Sequence, residues 1–144
     1  MMRNKIAVLI MLLFAFTLLL CACGAAEKLT EYDFGPDKIP SVNAVIGETR
    51  KVTGLSTGTS NGVRYKEYTY ITSTMVEDLA EYSGYLRSIG WLVINDYNFT
   101  TGSGEARLAT ESADSGMIII VSITFEASRY TIRINKLEGE LTPK

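Results

Sequence analysis

The sequence predicts an α+β domain in which one amphipathic helix packs on one face of an antiparallel sheet. Three observations support this fold class. Residues 74–90 have helical periodicity, and the segments on both sides of them are rich in Thr, Tyr, Ile and Val. The segments after the helix are joined by short, turn-rich connections, which make neighbouring strands antiparallel. The predicted order is ββαββββ, within a single domain over residues 42–144.

Two strands are predicted before the helix, over Glu48–Leu55 and Val63–Thr72. The stretch between them, STGTSNG, ends in Asn61-Gly62. This dipeptide readily takes positive φ and favours a tight hairpin turn. We therefore expect the two strands to pair as a hairpin with a mobile tip.

The helix has clear start and stop signals. Thr74-x-x-Glu77 has the spacing of a capping box, and Gly90 supplies a left-handed residue at the end of the helix. Its apolar residues recur at spacings of three and four and lie on one face: Met75, Leu79, Tyr82, Leu86 and Ile89. This face is expected to pack on the sheet.

Four strands are predicted after the helix: Trp91–Tyr97, Glu105–Glu111, Met117–Glu126 and Arg129–Lys136. In the third of these strands, Ile118 and Ile120 point to the face opposite the main apolar stripe. This end of the strand is therefore apolar on both faces, and other residues have to pack on both of them. Either the preceding tether or the first hairpin folds over it, or it belongs to a ligand groove or partner surface.

Tyrosine is unusually frequent, with eight residues. Tyr68 and Tyr70 share a strand face with Arg64 and Lys66, where exposed rings beside basic groups could stack on sugars or peptides. Tyrosine is also simply a good strand residue. The candidate binding surface is the sheet face away from the helix, formed by Tyr68, Tyr70, Ile118 and Ile120.

Composition excludes most catalytic templates. The chain has no His and two Cys, so His-based nucleophile pairs cannot form and a metal site lacks its usual ligands. The glycines near residues 54–62 and 102–104 lack the Lys-Ser/Thr that completes a phosphate-binding loop. We therefore expect a non-enzymatic protein with no catalytic residue, no metal and no cofactor.

The N-terminus has the pattern of an export signal. Arg3 and Lys5 precede fifteen residues without charge, Ile6–Leu20, which would span about 22 Å as a helix. This is shorter than the ~30 Å hydrocarbon core of a bilayer. Residues 1–22 are therefore interpreted as a signal peptide. Its removal leaves 12 basic and 16 acidic residues, a net charge of −4 that argues against binding to nucleic acid.

Both cysteines lie directly after this apolar run, as Cys21-Ala22-Cys23. A disulfide between them would close too short a loop to stabilise a fold. Leu20-Cys21-Ala22-Cys23 resembles the lipobox of bacterial lipoproteins, with Leu at −3, a small residue at −2 and Ala at −1. The resemblance implies that Cys23 is acylated and becomes the first residue after cleavage, while Cys21 leaves with the signal.

Together these patterns predict a lipid-anchored protein with a small extracytoplasmic domain. Residues 23–41 would be the lipidated N-terminus and a tether, because they contain four acidic residues, Gly35-Pro36 and Pro40. The domain would face outward from a bacterial cell membrane, or lie on the periplasmic side if an outer membrane is present. It would bind an envelope protein or a wall component; the alternative is a structural role through self-association or docking to an envelope complex.

Overall fold

A six-stranded antiparallel sheet dominates the computed structural model, which describes residues 28–142. The elements along the chain are β1 (Glu31–Phe34), β2 (Asp37–Pro40), α1 (Val42–Ile46), β3 (Val52–Ser60), β4 (Val63–Ile71), α2 (Met75–Ser88), β5 (Leu92–Val93), a 3₁₀ turn (Phe99–Thr101), β6 (Ser103–Glu111), β7 (Met117–Glu126) and β8 (Arg129–Glu138). The strand order in the large sheet is β3-β4-β8-β7-β6-β5, and a separate two-stranded hairpin is formed by β1 and β2.

The predicted fold class is confirmed at the level of an α+β domain with one long helix on an antiparallel sheet. The predicted order ββαββββ needs correction, because β1, β2 and α1 precede the first predicted strand. The order within residues 28–142 is ββαββαββββ. β1 and β2 come from the segment that we interpreted as a tether, and α1 follows it directly.

The interpretation of residues 23–41 as a tether is wrong for its C-terminal part. Gly35 adopts a φ of 69° in the turn that joins β1 to β2. Each strand alternates buried and exposed residues, and Tyr32 and Ile39 are 0% and 2% exposed. The hairpin therefore supplies part of the hydrophobic core rather than a spacer.

A network of tyrosine hydroxyls fixes this hairpin to the sheet. The Tyr32 and Tyr70 hydroxyl oxygens are 2.7 Å apart, and the Val42 N–H donates to the Tyr32 hydroxyl. The ring of Tyr70 stacks on Tyr130, and the Tyr82 hydroxyl of α2 donates to the Pro40 carbonyl. Burial raises the pKa of Tyr70 to about 12 and that of Tyr32 well above its usual value, so both hydroxyls stay protonated at neutral pH.

The strand boundaries follow the turns that the sequence predicts. Asn61 and Gly62 both have positive φ, which confirms the two-residue hairpin between β3 and β4. β3 extends to Ser60, beyond its predicted end at Leu55. The strand predicted over Trp91–Tyr97 is reduced to two residues, because Asn95 turns its side chain to the backbone of β6 instead of continuing the ladder.

The helix prediction is confirmed except at its first turn and at Ile89, which is 49% exposed and does not pack on the sheet. After Ile89, the Gly90 and Trp91 N–H groups donate to the carbonyls of Arg87 and Leu86, the pattern of a Schellman motif with Gly90 left-handed. The capping box is wrong: the Thr74 side chain makes no capping bond. Its hydroxyl instead donates to Asp78, and its oxygen accepts from the Arg50 guanidinium.

Asp78 is the centre of a buried ion pair at the start of α2. Its carboxylate accepts two hydrogen bonds from the Arg50 guanidinium, at 2.7 and 3.0 Å, and is contacted by the Tyr130 hydroxyl at 3.4 Å. The Asp78 side chain is 4% exposed and that of Arg50 is 19% exposed. Arg50 also binds Glu48, whose side chain is 66% exposed. The pair ties the loop before β3 to the helix.

We predict that Asp78→Asn lowers the free energy of unfolding by about 3–5 kcal/mol, because it removes one partner of a buried pair. Glu48→Gln is the matched control on the same guanidinium and should cost less than about 1 kcal/mol, since its carboxylate is solvated. Denaturant unfolding of both variants measures the difference. Equal losses would contradict the assignment of Asp78 as the main partner of Arg50.

Candidate functional site

The structure divides the predicted binding surface between the two faces of the sheet. Tyr68 and Tyr70 are 7% and 0% exposed and lie in the core beneath the β1–β2 hairpin. Ile118 and Ile120 are partly exposed and point to the opposite face. The assignment of Tyr68 and Tyr70 to a binding surface is therefore wrong, because their face is the one that the hairpin and α2 cover.

The face that carries Ile118 and Ile120 has neither the hairpin nor α2 packed on it, and we call it the open face. Cross-strand pairing aligns the side chains of β4, β8, β7 and β6 in rows across the open face. An open groove of about 430 Å³ runs over this face. Along the groove the surface changes from apolar to charged and then to hydroxyl-rich.

The apolar end of the open face lies where β7 begins. Ile118 pairs with Leu137 of β8, and Val63 lies at the neighbouring end of β4. All of these side chains are partly exposed. Gly139 lies beside Ile118, and the Leu141 N–H donates to Glu111, so the C-terminal segment borders this end. The aliphatic group formed by Val63, Ile118, Ile120 and Leu137 is called the apolar patch below.

A charged row crosses the middle of the open face. Arg133 contacts Glu67 at 3.2 Å, and its guanidinium lies 4.0 Å from the centre of the Tyr65 ring. On β6, Arg107 pairs with Glu105 at 2.8 Å. Because each arginine already has a carboxylate partner, this row is close to neutral in charge. It offers guanidinium edges and one aromatic ring to a partner.

Sequence reasoning missed Val63, Tyr65, Glu67, Arg133 and Leu137 on this face. Two-residue turns fix the β3–β4 and β7–β8 registers, so those pairings could be read from the sequence. No hairpin joins β4 to β8, which meet only after the chain has passed through α2 and three further strands. The alternation within β4 therefore allowed either Tyr65 or Tyr68 to lie on the face of Ile120. No local signal in the sequence indicated that Tyr65 is the one that does.

A second concavity of about 560 Å³ lies between the Gly35-Pro36 turn and the β3–β4 ribbon. Lys66 spans it and donates to the Asp33 carbonyl. Arg64 lines the same cleft and takes part in none of the ion pairs formed among residues 28–142. Lys136 lines it too.

A buried carboxylate clamps the hairpin next to this cleft. Asp37 accepts hydrogen bonds from the Ser112 hydroxyl and the Ala113 N–H, and it pairs with Lys136 at 2.6 Å. Lys136 also pairs with the more exposed Asp114. Burial acts to raise the pKa of Asp37, but the hydrogen bonds from Lys136, Ala113 and Ser112 outweigh it and hold the pKa below its usual value.

This clamp predicts an acid-sensitive hairpin. Because the pKa of Asp37 is lower in the folded state than in the unfolded state, its stabilisation is present above about pH 4 and is lost as the pH falls through the folded value. We expect Asp37→Asn to lower the free energy of unfolding at pH 7 by about 2 kcal/mol, since it weakens charge-assisted hydrogen bonds. The variant should also lose less stability than the unsubstituted chain between pH 5 and about pH 2. Urea unfolding across this range measures both effects, and an unchanged pH dependence would contradict the role of Asp37.

Residues 28–142 contain no helix that is long and apolar enough to cross a membrane. No three Cys, Asp or Glu side chains within that range lie close enough together to hold a metal ion. The predicted signal peptide, residues 1–22, and the predicted lipidation site, Cys23, lie outside the described residues. Comparison of the chain with protein-family models, with curated proteins and with solved structures finds no match.

Proposed function

We propose that this chain is a bacterial lipoprotein whose small, non-catalytic domain binds an envelope protein or a wall component on the outer side of the cytoplasmic membrane. In a cell with two membranes it would act on the periplasmic side. The observation that carries the binding role is the one-sided packing of the sheet. The hairpin and α2 both cover the face of Tyr68 and Tyr70, which leaves the apolar patch of the open face partly exposed.

The composition of the open face favours a protein partner over a small ligand. An apolar centre beside a polar, charged border is the usual arrangement of protein interfaces, in which arginine and tyrosine are enriched. Here the apolar patch adjoins Tyr65, Arg133 and Glu67. The groove is open rather than enclosed, so a convex surface or an extended segment would fit it better than a small molecule would. A wall component would use the same Tyr65 ring and arginine for stacking.

The anchoring part of the proposal depends on the sequence motif around Cys23. A basic start, an apolar run and Leu20-Cys21-Ala22-Cys23 occur in the order that lipoprotein processing requires. Two or more acyl chains anchor a protein stably, since each buried CH₂ contributes about 0.8 kcal/mol. The alternative proposal for the domain is structural, through self-association, and the observation that favours it is the exposed edge strand β3.

The anchor is tested by replacing each cysteine separately. Cys23→Ala should abolish incorporation of a fatty-acid analogue, because the acceptor thiol is lost. Cys21→Ala should be labelled like the unsubstituted chain, because Ala also suits position −2. Gel fluorescence after metabolic labelling measures both variants. Lipid on the Cys23→Ala variant would overturn the assignment.

The binding face is tested by photo-crosslinking from the full chain in its own cells. A photo-reactive residue at Ser122, in the middle of the open face, should give a protein adduct; the same residue at Tyr85, which is 41% exposed on α2, should not. Ile120→Glu in the Ser122 background should lower the adduct at least about tenfold, since a carboxylate would be buried in the apolar patch.

Ile89→Glu is the matched control, because this isoleucine is 49% exposed at the end of α2 and should leave the adduct unchanged. Co-sedimentation of the chain with purified cell wall separates the two partner classes. Wall binding that Ile120→Glu abolishes, without a protein adduct, would identify a wall component. Equal adducts from Ser122 and Tyr85 would contradict a role for the open face.

A further inference from the structure

The outer side of β3 is an unprotected sheet edge. β3 is nine residues long, contains no charged residue and no proline, and is the last strand on its side of the sheet. Most of it is exposed, including Leu55, whose exposed fraction is 65%. Natural proteins usually block such an edge with lysine, proline, a short strand or a covering segment. Among residues 28–142, none of these protects β3 between Gly54 and Ser60.

The ladder pattern shows which backbone groups of β3 face outward. The Thr72 N–H donates to Ser128, continuing the β4–β8 ladder, so even-numbered residues of β4 bond to β8 and odd-numbered residues bond to β3. The odd-numbered residues of β4 pair with Gly54, Ser56, Gly58 and Ser60 of β3. The outward N–H and C=O groups therefore belong to Leu55, Thr57 and Thr59.

The opposite edge of the same sheet is closed. β5 covers only two residues of β6, but beyond them the Asn95 amide donates to the Glu105 carbonyl at 2.8 Å and accepts from the Arg107 N–H at 2.6 Å. One side chain thus satisfies the backbone groups that the next strand would have used. In addition, Glu105 and Arg107 place charges on that edge. The chain protects one edge of its sheet and leaves the other available.

The sequence of β3 is complementary to itself. Around Ser56 the sequence VTGLSTGTS repeats Gly and Thr at matching positions, Gly54 with Gly58 and Thr53 with Thr59, whereas Leu55 is matched by Thr57. In an antiparallel pair of two copies centred on Ser56, Gly54 faces Gly58, and Thr53 lies outside the regular pairing because the β3–β4 register shifts there. Leu55 then faces Thr57, which makes both of them hydrogen-bonded positions, as their outward groups require.

We propose that β3 pairs antiparallel with β3 of a second copy of this chain, centred on Ser56, to form a continuous twelve-stranded sheet across a two-fold axis. Residues 54–58 of each copy pair in this register, beyond the register shift that the β3–β4 ladder has between Val52 and Gly54, and no like charges meet within the strand. The interface is isologous, so it closes as a dimer and does not propagate into fibres. The dimer rests on the alternative proposal of self-association, and it depends on neither the lipid anchor nor the open face.

Cysteine crosslinking of the full chain in its own cells tests the register. In the proposed dimer the two Ser56 residues form a non-hydrogen-bonded pair, with Cα atoms about 4.5 Å apart, within the range of a disulfide. Ser56→Cys should therefore give a covalent dimer on mild oxidation. Ser60→Cys is the matched control on the same side of the strand; the two copies of residue 60 would lie roughly 27 Å apart. The unsubstituted chain gives the baseline for Cys21 and Cys23.

Thr57→Pro supplies the second test, in the Ser56→Cys background. The proline removes an outward N–H and leaves the bonds to β4 in place, so the fold should persist while pairing is blocked. We expect the crosslinked fraction to fall at least about tenfold, with an unchanged circular dichroism spectrum. Equal crosslinking from Ser56→Cys and Ser60→Cys would overturn the proposal. So would a folded Ser56→Cys chain that gives no dimer, or a dimer that Thr57→Pro leaves intact.

Discussion

The hydrogen bond between the Tyr32 and Tyr70 hydroxyls determines which side of the sheet is closed. Through it the β1–β2 hairpin lies over the same face as α2, and the N–H of Val42, the first residue of α1, also donates to Tyr32. An unpaired buried hydroxyl would cost about 1–3 kcal/mol, so the two tyrosines are stable in the core only together. Because the hairpin and α2 both pack on one face, neither of them covers the other face. The apolar patch lies on that second face and is therefore partly exposed.

Two buried ion pairs hold the ends of the segment that contains β2 and α1. Asp37 is bonded to the β6–β7 turn and to β8, and Arg50 is bonded to Asp78 at the start of α2. Such pairs contribute to stability only when the remaining hydrogen-bonding capacity of the charged groups is satisfied, and both carboxylates here accept several hydrogen bonds. The segment between the pairs is thereby fixed to both the sheet and the helix.

Local signals in the sequence were sufficient for the helix, the Asn61-Gly62 turn and the last three strands, because each depends on residues near one another in the chain. The hairpin of β1 and β2 was missed for a physical reason. Its strands have four residues each, its outward positions are acidic or basic, and Gly35-Pro36 was interpreted as a break rather than a turn. The face of Tyr68 depended on the β4–β8 pairing, which joins residues more than fifty positions apart. The open face therefore could not be assigned correctly before the long-range register was known.

The close attachment of residues 28–30 to the domain limits how far a lipid-anchored form could extend from the bilayer. Lys28 bonds to the Gly47 carbonyl, Leu29 to Ser41, and the Thr30 carbonyl accepts from the Ser41 N–H. In the proposed lipoprotein, six residue steps would separate Cys23 from Leu29, a reach of at most about 20 Å. The domain would then diffuse in two dimensions within a thin layer above the headgroups. Encounters with membrane-embedded neighbours would be favoured over contacts with distant layers of the wall.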